Sequence, residues 1–240
     1  MAVSAPLPPP ASLREQAIVL VHGAWVGEWS WLPVVPLLQA SGRPVYNVSL
    51  TGQGARRHQG GAHITIADHV ADVVGVIDTF DLSGVTLVGH SYGGRVITAA
   101  APHVAERLGA MVYLDAHAPT APDAGQPPER VAMAEDNGGL LPFTGYDHDV
   151  DQLPTDEARR WFRERTVAHP FQTFVADWQR PVPPGVRPTY VFATDSPGTR
   201  FGGYAEGAQA DPTWRYVELA GPHFLMFSHP DEVADIILNA

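Results

Sequence analysis

The 240-residue sequence contains no cysteine. This absence excludes disulfide bonds, thiolate metal ligands and a cysteine nucleophile, and it is typical of proteins from reducing compartments. Long apolar runs are also missing, since no stretch approaches the roughly 20 residues that a membrane-spanning helix needs. The Pro- and Ala-rich start, residues 1–11, has neither the basic nor the apolar region of a signal peptide. We therefore expect a cytoplasmic protein with no membrane partner.

Positive charge is scarce. The chain has 15 Lys and Arg against 26 Asp and Glu, and a formal net charge of −11. The densest basic pairs, Arg56-Arg57 and Arg159-Arg160, are too small to follow a phosphate backbone. Nucleic acid is therefore not an expected partner.

Motifs for cofactors and metals are absent as well. No Gly-rich dinucleotide or phosphate loop follows the first strand, and no His-Glu-x-x-His occurs. Asp147, Asp149 and Asp151 have the initial spacing of a calcium loop but lack its glycine and its late glutamate. We expect a solvated acidic turn there, with no metal and no cofactor.

What the sequence does contain is an alternation of short Val-, Ile- and Leu-rich runs with helical patterns. This alternation is typical of a parallel sheet covered by helices on both faces. The best helix is Ile66–Phe80, with apolar residues on one stripe and Thr65 placed to cap it. The last helix begins near Pro230. The predicted strands are Ala17–Val21, Val45–Val48, Val85–Val88, Ala110–Leu114, Thr189–Ala193 and Trp214–Glu218.

One long segment interrupts this alternation. Residues 117–188 carry many prolines and no convincing strand, which is typical of a functional insertion. Its middle, Thr155–Trp178, is helical in pattern and aromatic. We expect one domain over residues 1–240, an α/β fold with a doubly wound, mostly parallel six-stranded sheet and a mainly helical cap insertion at about 117–188.

The strongest chemical motif is Gly89-His90-Ser91-Tyr92-Gly93. It follows a predicted strand and precedes a helical segment near Gly94, which is the context of a nucleophile elbow. The turn is so sharp that flanking side chains would clash, which explains the glycines. Ser91 is therefore the predicted nucleophile.

A second motif, Val21-His22-Gly23-Ala24-Trp25, ends the first strand. A His-Gly pair in this place shapes the loop whose next backbone N–H forms half of an oxyanion hole. We expect the N–H groups of Ala24 and Tyr92 to form that hole.

The third motif, Gly221-Pro222-His223, follows the last strand. A serine hydroxyl needs a base to remove its proton, and His223 lies where a strand end can deliver one. His229 precedes Pro230 at the start of a helix, which favours a capping or surface role. His223 is therefore the predicted base.

The acid that orients this base has two candidates, each at a strand end. Asp195 follows Val191–Thr194, and Asp115 ends the run Met111–Leu114. Either carboxylate could accept the second imidazole N–H. We favour Asp195, with Asp115 shaping the mouth of the site.

With these motifs in place, the chain resembles the α/β-hydrolase superfamily. More narrowly, Val21–Trp31 and Gly89–Gly94 resemble the branch of plant methyl-ester esterases, hydroxynitrile lyases and bacterial pyrethroid-type carboxylesterases. The resemblance supports Asp195, because that branch places its acid about 28 residues before the histidine. Lyases of the branch carry a threonine and a lysine where this chain has Gly23 and Phe224.

These features predict a cofactor-free serine carboxylic ester hydrolase acting on small apolar esters through an acyl-enzyme. The alternatives are a lyase or C–C bond hydrolase on the same scaffold, and a receptor-like small-molecule-binding protein. Because no arginine occurs in the catalytic motifs, we expect a free carboxylate on the substrate to hinder binding. The predicted substrate-binding residues are Trp25, Trp161, Phe162 and Phe224, with Phe171, Phe174 and Trp178 completing an aromatic roof.

Overall fold

A computed structural model describes residues 10–196 and 200–240. Its centre is a six-stranded sheet in the order β2-β1-β3-β4-β7-β8, in which every neighbouring pair is parallel. Two further strands, β5 and β6, pair antiparallel outside this sheet. The strands are β1 Ile18–Val21, β2 Val45–Val48, β3 Val85–His90, β4 Leu108–Leu114, β5 Leu140–Leu141, β6 His169–Pro170, β7 Arg187–Ala193 and β8 Arg215–Leu219.

Helices alternate with these strands along the described residues. Short 3-10 turns occur at Ala11–Leu13, Glu28–Trp31, Gly54–Gln59, Ala101–His103 and Ala105–Arg107. The α-helices are α1 Val35–Gln39, α2 Ile66–Thr79, α3 Gly93–Ala100, α4 Pro128–Asp136, α5 Asp147–Asp151, α6 Asp156–Arg163, α7 Gln172–Val175, α8 Gly202–Ala210, α9 Leu225–Ser228 and α10 Pro230–Leu238.

The sheet and the best helix confirm the prediction from sequence. Every predicted strand of the sheet is present with its ends shifted by at most two residues. Helix α2 begins at Ile66, and Thr65 and Asp68 form a reciprocal capping box at its start. The predicted α/β-hydrolase fold class is confirmed, with all six strands of the sheet parallel.

The core lies on both faces of the central strands. All residues of β1 and β3 are buried, as expected for parallel strands covered by helices on each side. Within the described residues, no helix is both long and apolar enough to cross a membrane. The carboxyl ends of β1, β3 and β4 meet at one edge of the sheet, where the motif residues follow them.

The segment between β4 and β7, called the insertion below, covers this edge. Its helical middle is shorter than predicted, because α6 ends at Arg163 and α7 spans only Gln172–Val175. Between them, Leu141 pairs with His169 and Leu140 with Pro170. Proline lacks an N–H and disfavours helical backbone at the preceding residue, so a helix cannot continue through this point.

Candidate active site

Ser91 lies at the sharp turn between β3 and α3, with a left-handed backbone at φ 55°. The glycines around it are a steric requirement. A Cβ at Gly89 would lie 2.7 Å from the Gly93 carbonyl carbon, and a Cβ at Gly93 would lie 2.6 Å from the Val21 carbonyl oxygen. A non-glycine residue at positive φ is strained, so the surrounding packing holds the serine in this conformation.

The loop after β1 runs beside this turn. A Cβ at Gly23 would lie 3.1 Å from Ser91 Cβ, so glycine allows the two backbones to approach closely. The buried amides of Ala24 and Tyr92 donate to no backbone acceptor among residues 10–196 and 200–240. Two free N–H groups next to a serine are the donors that an oxyanion needs.

His223 is paired with Asp115. Its Nδ1 lies 2.6 Å from Asp115 Oδ2, and both side chains are only 1% exposed. The Ala193 N–H donates to the other carboxylate oxygen, Oδ1, at 3.3 Å. The carboxylate therefore accepts the Nδ1 proton and leaves Nε2 of the neutral imidazole free to act as a base.

The expectation that Asp195 contacts His223 is not met. Asp195 is exposed, and its Oδ1 accepts a hydrogen bond from the Thr194 hydroxyl at 3.1 Å. Asp115 follows β4, which pairs directly with the strand that carries Ser91, and its backbone at φ 42° turns the carboxylate inward. Asp195 follows β7, one strand further from the serine.

The His223 ring lies between two aromatic rings. Phe201 is nearly parallel to it at 7°, with centroids 5.2 Å apart, and Tyr146 lies on the other side at 5.0 Å. Burial lowers the pKa of His223, while the nearby Asp149 carboxylate opposes that shift. No hydrogen bond joins the Ser91 hydroxyl to the His223 imidazole in this structure; catalytic hydrogen bonds often tighten only when substrate binds.

Asp149 corrects another expectation. Asp147 and Asp151 lie one turn apart on α5 and both pair with Arg163 at the surface. Asp149 points the other way, is 1% exposed, and accepts a hydrogen bond from the His223 backbone N–H at 3.0 Å. The prediction of a solvated acidic turn is therefore wrong for Asp149. Residues two positions apart on a helix lie on nearly opposite faces, so Asp149 points inward while Asp147 and Asp151 point outward.

The aromatic residues predicted for substrate binding are divided between two places. Trp25 belongs to the site, since its ring packs against Tyr146 at 5.5 Å and Phe174 at 6.0 Å. Phe224 follows His223 and contacts it, with ring centroids 5.1 Å apart. These rings form an apolar wall around His223 and the loop after β1.

The other predicted rings pack the insertion onto the domain. Trp161 and Phe162 both lie nearly perpendicular to Trp29, with ring centroids 5.1 and 5.2 Å away, and Phe162 also contacts Phe224 at 4.6 Å. Trp178 donates its indole N–H to Asp123 Oδ2 at 2.7 Å. Phe171 is half-buried against the core. Their part in a roof over substrate remains a prediction.

Trp25 also ties the loop after β1 to the insertion. Its indole N–H donates to the Leu141 carbonyl at 2.8 Å, and its backbone N–H lies 3.4 Å from His169 Nδ1. The Val167 N–H donates to the Trp25 carbonyl at 2.9 Å. These bonds hold Trp25 at φ 64° and thereby position the neighbouring amide of Ala24.

Trp25→Phe should lower kcat about fivefold, because the lost indole bond is worth about 1 kcal/mol and positions the loop after β1 beside Ser91. Trp29→Phe is the matched control. The Trp29 indole N–H is buried with no acceptor among the described residues, so its removal should not weaken kcat. Steady-state kinetics on one ester measures kcat for both variants. Equal losses of kcat in Trp25→Phe and Trp29→Phe would contradict the positioning role of Trp25.

Several site residues were missed by sequence reasoning. Tyr146 and His169 both belong to the insertion, where no periodic pattern or motif singles out a residue. Asp149 carried a signal, its spacing with Asp147 and Asp151, but the signal suggested calcium. The proline-rich length of the insertion was the one indication that it covers a site.

Comparisons with known proteins identify relatives that are esterases. A carbendazim hydrolyzing esterase from Nocardioides sp. strain SG-4G is 31% identical over 237 residues, 90% of this chain and 96% of the relative. Methylesterase 1 of Arabidopsis thaliana is 33% identical over 108 residues, 44% of this chain and 41% of the relative. These similarities support ester hydrolysis.

Solved structures give the same fold. An extracellular α/β-hydrolase from a Paenibacillus species matches with a TM-score of 0.74 and 21% identity, over 93% of this chain and 98% of that chain. The model of the alpha/beta hydrolase family matches residues 18–236. With this match, and with the esterase likeness over nearly its whole length, the chain belongs to the alpha/beta hydrolase family and is a hydrolase.

Proposed function

We propose that this hydrolase cleaves small carboxylic esters through a covalent acyl-enzyme on Ser91, with His223 as base and Asp115 as the acid that orients it. The observation that carries the proposal is the buried 2.6 Å contact between His223 Nδ1 and Asp115 Oδ2, at the sheet edge where Ser91 turns outward. Three side chains of these types in this chain order, Ser, then Asp, then His, are typical of the fold.

The reaction begins when the Ser91 hydroxyl attacks the ester carbonyl carbon and its proton passes to His223 Nε2. The negative charge moves to the carbonyl oxygen, which accepts hydrogen bonds from the Ala24 and Tyr92 amides. Collapse of this intermediate breaks the C–O bond, and His223 returns the proton to the departing alcohol. Water then repeats the sequence on the acyl-enzyme and releases the acid.

Burial of the base suits this role. A lowered pKa keeps His223 uncharged at neutral pH, so it can accept the serine proton. When the imidazolium forms, the adjacent Asp115 carboxylate stabilises it. Stacking between Phe201 and Tyr146 limits rotation of the ring and keeps water from its faces.

The substrate's apolar groups would pack on Trp25, Tyr146 and Phe174, which surround the serine and the oxyanion loop. Burial of apolar surface stabilises a bound ester by about 25 cal/mol per Å². Ser91 is 4% exposed and His223 1% exposed, so the reaction would take place largely shielded from water.

The local packing favours ester hydrolysis over the lyase alternative. The lyases of the resembled branch need a threonine at the position of Gly23, where a Cβ would lie 3.0 Å from His90 Nδ1. The position of their lysine holds Phe224, which contacts the catalytic histidine through an apolar ring.

Pre-steady-state kinetics with 4-nitrophenyl acetate tests the proposal. The wild-type protein should release a burst of one equivalent of 4-nitrophenol and gain one acetyl group by mass spectrometry, located on Ser91. Ser91→Ala is the matched control and should show neither, while its melting temperature stays close to the wild-type value. Ester turnover by Ser91→Ala near the wild-type rate, or acetylation elsewhere, would overturn the assignment.

A further inference from the structure

Arg130 is a cation without a counter-ion beside this site. It belongs to α4 of the insertion, and its guanidinium lies over the rings of Trp25 and Phe174, at 5.4 and 4.8 Å from their centroids. Its Nη2 is buried and has no hydrogen-bond partner among the described residues. A buried donor left unpaired costs free energy, so this atom is either a strain in the fold or half of an interaction that substrate completes.

The fold itself does not explain the charge. Arg130 stands in the first turn of α4, where the positive end of the helix disfavours a cation. It forms no ion pair with any carboxylate of the described residues, in a chain whose formal net charge is −11. Burial lowers the pKa of Arg130, and Arg200 and Arg95 act in the same direction.

Arg95 and Arg200, the two arginines that lower the pKa of Arg130, both donate to protein acceptors. Arg95 donates to Asp123 and to the Phe174 carbonyl, each at 2.9 Å, although its Nε is buried without a partner among the described residues. Arg200 lies over the Tyr146 ring at 4.0 Å and donates to the Gly145 carbonyl at 2.8 Å. Arg130 differs from both, because its guanidinium donates to no acceptor among the described residues and is available for a ligand.

From this placement we infer that Arg130 is a specificity-determining residue, and that the preferred substrate is an ester bearing a carboxylate at the end remote from the scissile carbonyl. The apolar body of the ester packs on Trp25 and Phe174, and its carboxylate accepts hydrogen bonds from the guanidinium. Arginine suits a carboxylate because its planar donors match the two oxygens. This inference rests on the proposed ester hydrolysis, and it reverses the expectation from sequence that a carboxylate hinders binding.

The test compares esters that differ only in charge. One pair is 4-acetoxybenzoate and 4-acetoxybenzamide; a second, aliphatic pair is methyl hydrogen adipate and methyl adipamate. Wild-type kcat/KM should be about 10- to 100-fold higher for the carboxylate of at least one pair, the range expected for a hydrogen bond to a charged group. Arg130→Met should abolish this preference and leave ester hydrolysis of the two neutral carboxamide probes within about twofold of the wild-type rate. Arg130→Lys should keep part of the preference.

Arg165→Met is the matched control. Arg165 lies over the Trp161 ring at 4.1 Å and donates to the Trp161 carbonyl, and neither Trp25 nor Phe174 is among its contacts, so its replacement should change neither member of a pair. The inference would be overturned if the wild-type kcat/KM were equal for the two esters of each pair, or if Arg130→Met lowered kcat/KM equally for both. Either result would leave the proposed ester hydrolysis standing.

A binding measurement separates the two proposals. Ser91→Ala should bind 4-acetoxybenzoate more tightly than 4-acetoxybenzamide by calorimetry, and adding Arg130→Met should remove that difference. If no ester is hydrolysed, ester hydrolysis fails while this measurement still decides the role of Arg130. Equal affinity for the two probes would overturn it.

Discussion

Asp115→Asn should lower kcat/KM for esters by about 10⁴-fold, because an amide in place of the carboxylate cannot fix the neutral imidazole tautomer or stabilise the imidazolium. The contact at stake is the 2.6 Å bond to His223 Nδ1. Asparagine keeps the size of the side chain, so the fold should persist. Steady-state kinetics, with circular dichroism to verify folding, measures the effect.

Two matched changes make this result specific. Asp195→Asn alters an exposed side chain at the end of β7 and should change kcat/KM less than about twofold, as is typical of surface substitutions. Asp149→Asn keeps an oxygen for the His223 backbone N–H, so its loss should be far smaller than that of Asp115→Asn. A larger loss in Asp195→Asn than in Asp115→Asn would reverse the assignment of the acid.

The free energy of unfolding should fall steeply below pH 6.5, by up to about 5 kcal/mol per pH unit. His22, His69, His90 and His169 are all fully buried, and burial lowers the pKa of each, that of His22 to about 4. Each group binds a proton when unfolded at the ordinary value near 6.5 but not when folded. Stability from these groups is therefore complete above pH 6.5 and is lost as pH falls, at about 1.4 kcal/mol per unit for each.

Hydrogen bonds explain why two of these rings, those of His22 and His69, stay neutral. His22 Nε2 accepts the Leu50 N–H at 3.1 Å, and His69 Nε2 donates to the Thr51 carbonyl, which leaves Nδ1 to accept the Tyr92 hydroxyl at 2.9 Å. Protonation would break each accepted bond. The pair Asp115 and His223 adds little to the pH dependence of stability. Burial raises the pKa of Asp115 and lowers that of His223, so their effects on the slope have opposite signs.

Urea unfolding between pH 8 and pH 5 measures this slope. A whole domain is stable by only about 5–15 kcal/mol, so most of the native stability should be gone near pH 5. His103→Gln, which changes an exposed histidine, is the control and should leave the slope as it is. A free energy of unfolding that stays flat from pH 6.5 to pH 5.5 would contradict the prediction.

The framework of the site followed from local sequence features. Strand, turn and helix signals flank Ser91 closely, and the steric need for Gly89 and Gly93 is written in the motif itself. His223 could be placed because it follows the last strand within a few residues. In each case the signal lies within a short stretch of chain, although some of the contacts it serves are distant, such as that between Gly93 and the Val21 carbonyl.

The acid could not be chosen in the same way. Asp115 and Asp195 both end predicted strands, and the structure separates them: Asp115 Oδ2 lies 2.6 Å from His223 Nδ1, whereas Asp195 is exposed. Sequence spacing carries no information about which of the two carboxylates reaches the histidine. Arg130 and Tyr146 were beyond reach for another reason, because their positions depend on how the insertion packs on residues more than a hundred positions away.

The bonds that tie Trp25 to Leu141, Val167 and His169 limit how such an enzyme can diversify. Two of them use backbone atoms of the insertion, the Leu141 carbonyl and the Val167 N–H. A foreign segment grafted between β4 and β7 would therefore have to place equivalent backbone atoms beside Trp25, whatever its side chains. New substrate preferences should therefore arise by exchanging inward-facing residues such as the one at position 130, one at a time. Recombination of whole insertions between distant relatives should mostly yield folded proteins with a displaced oxyanion loop.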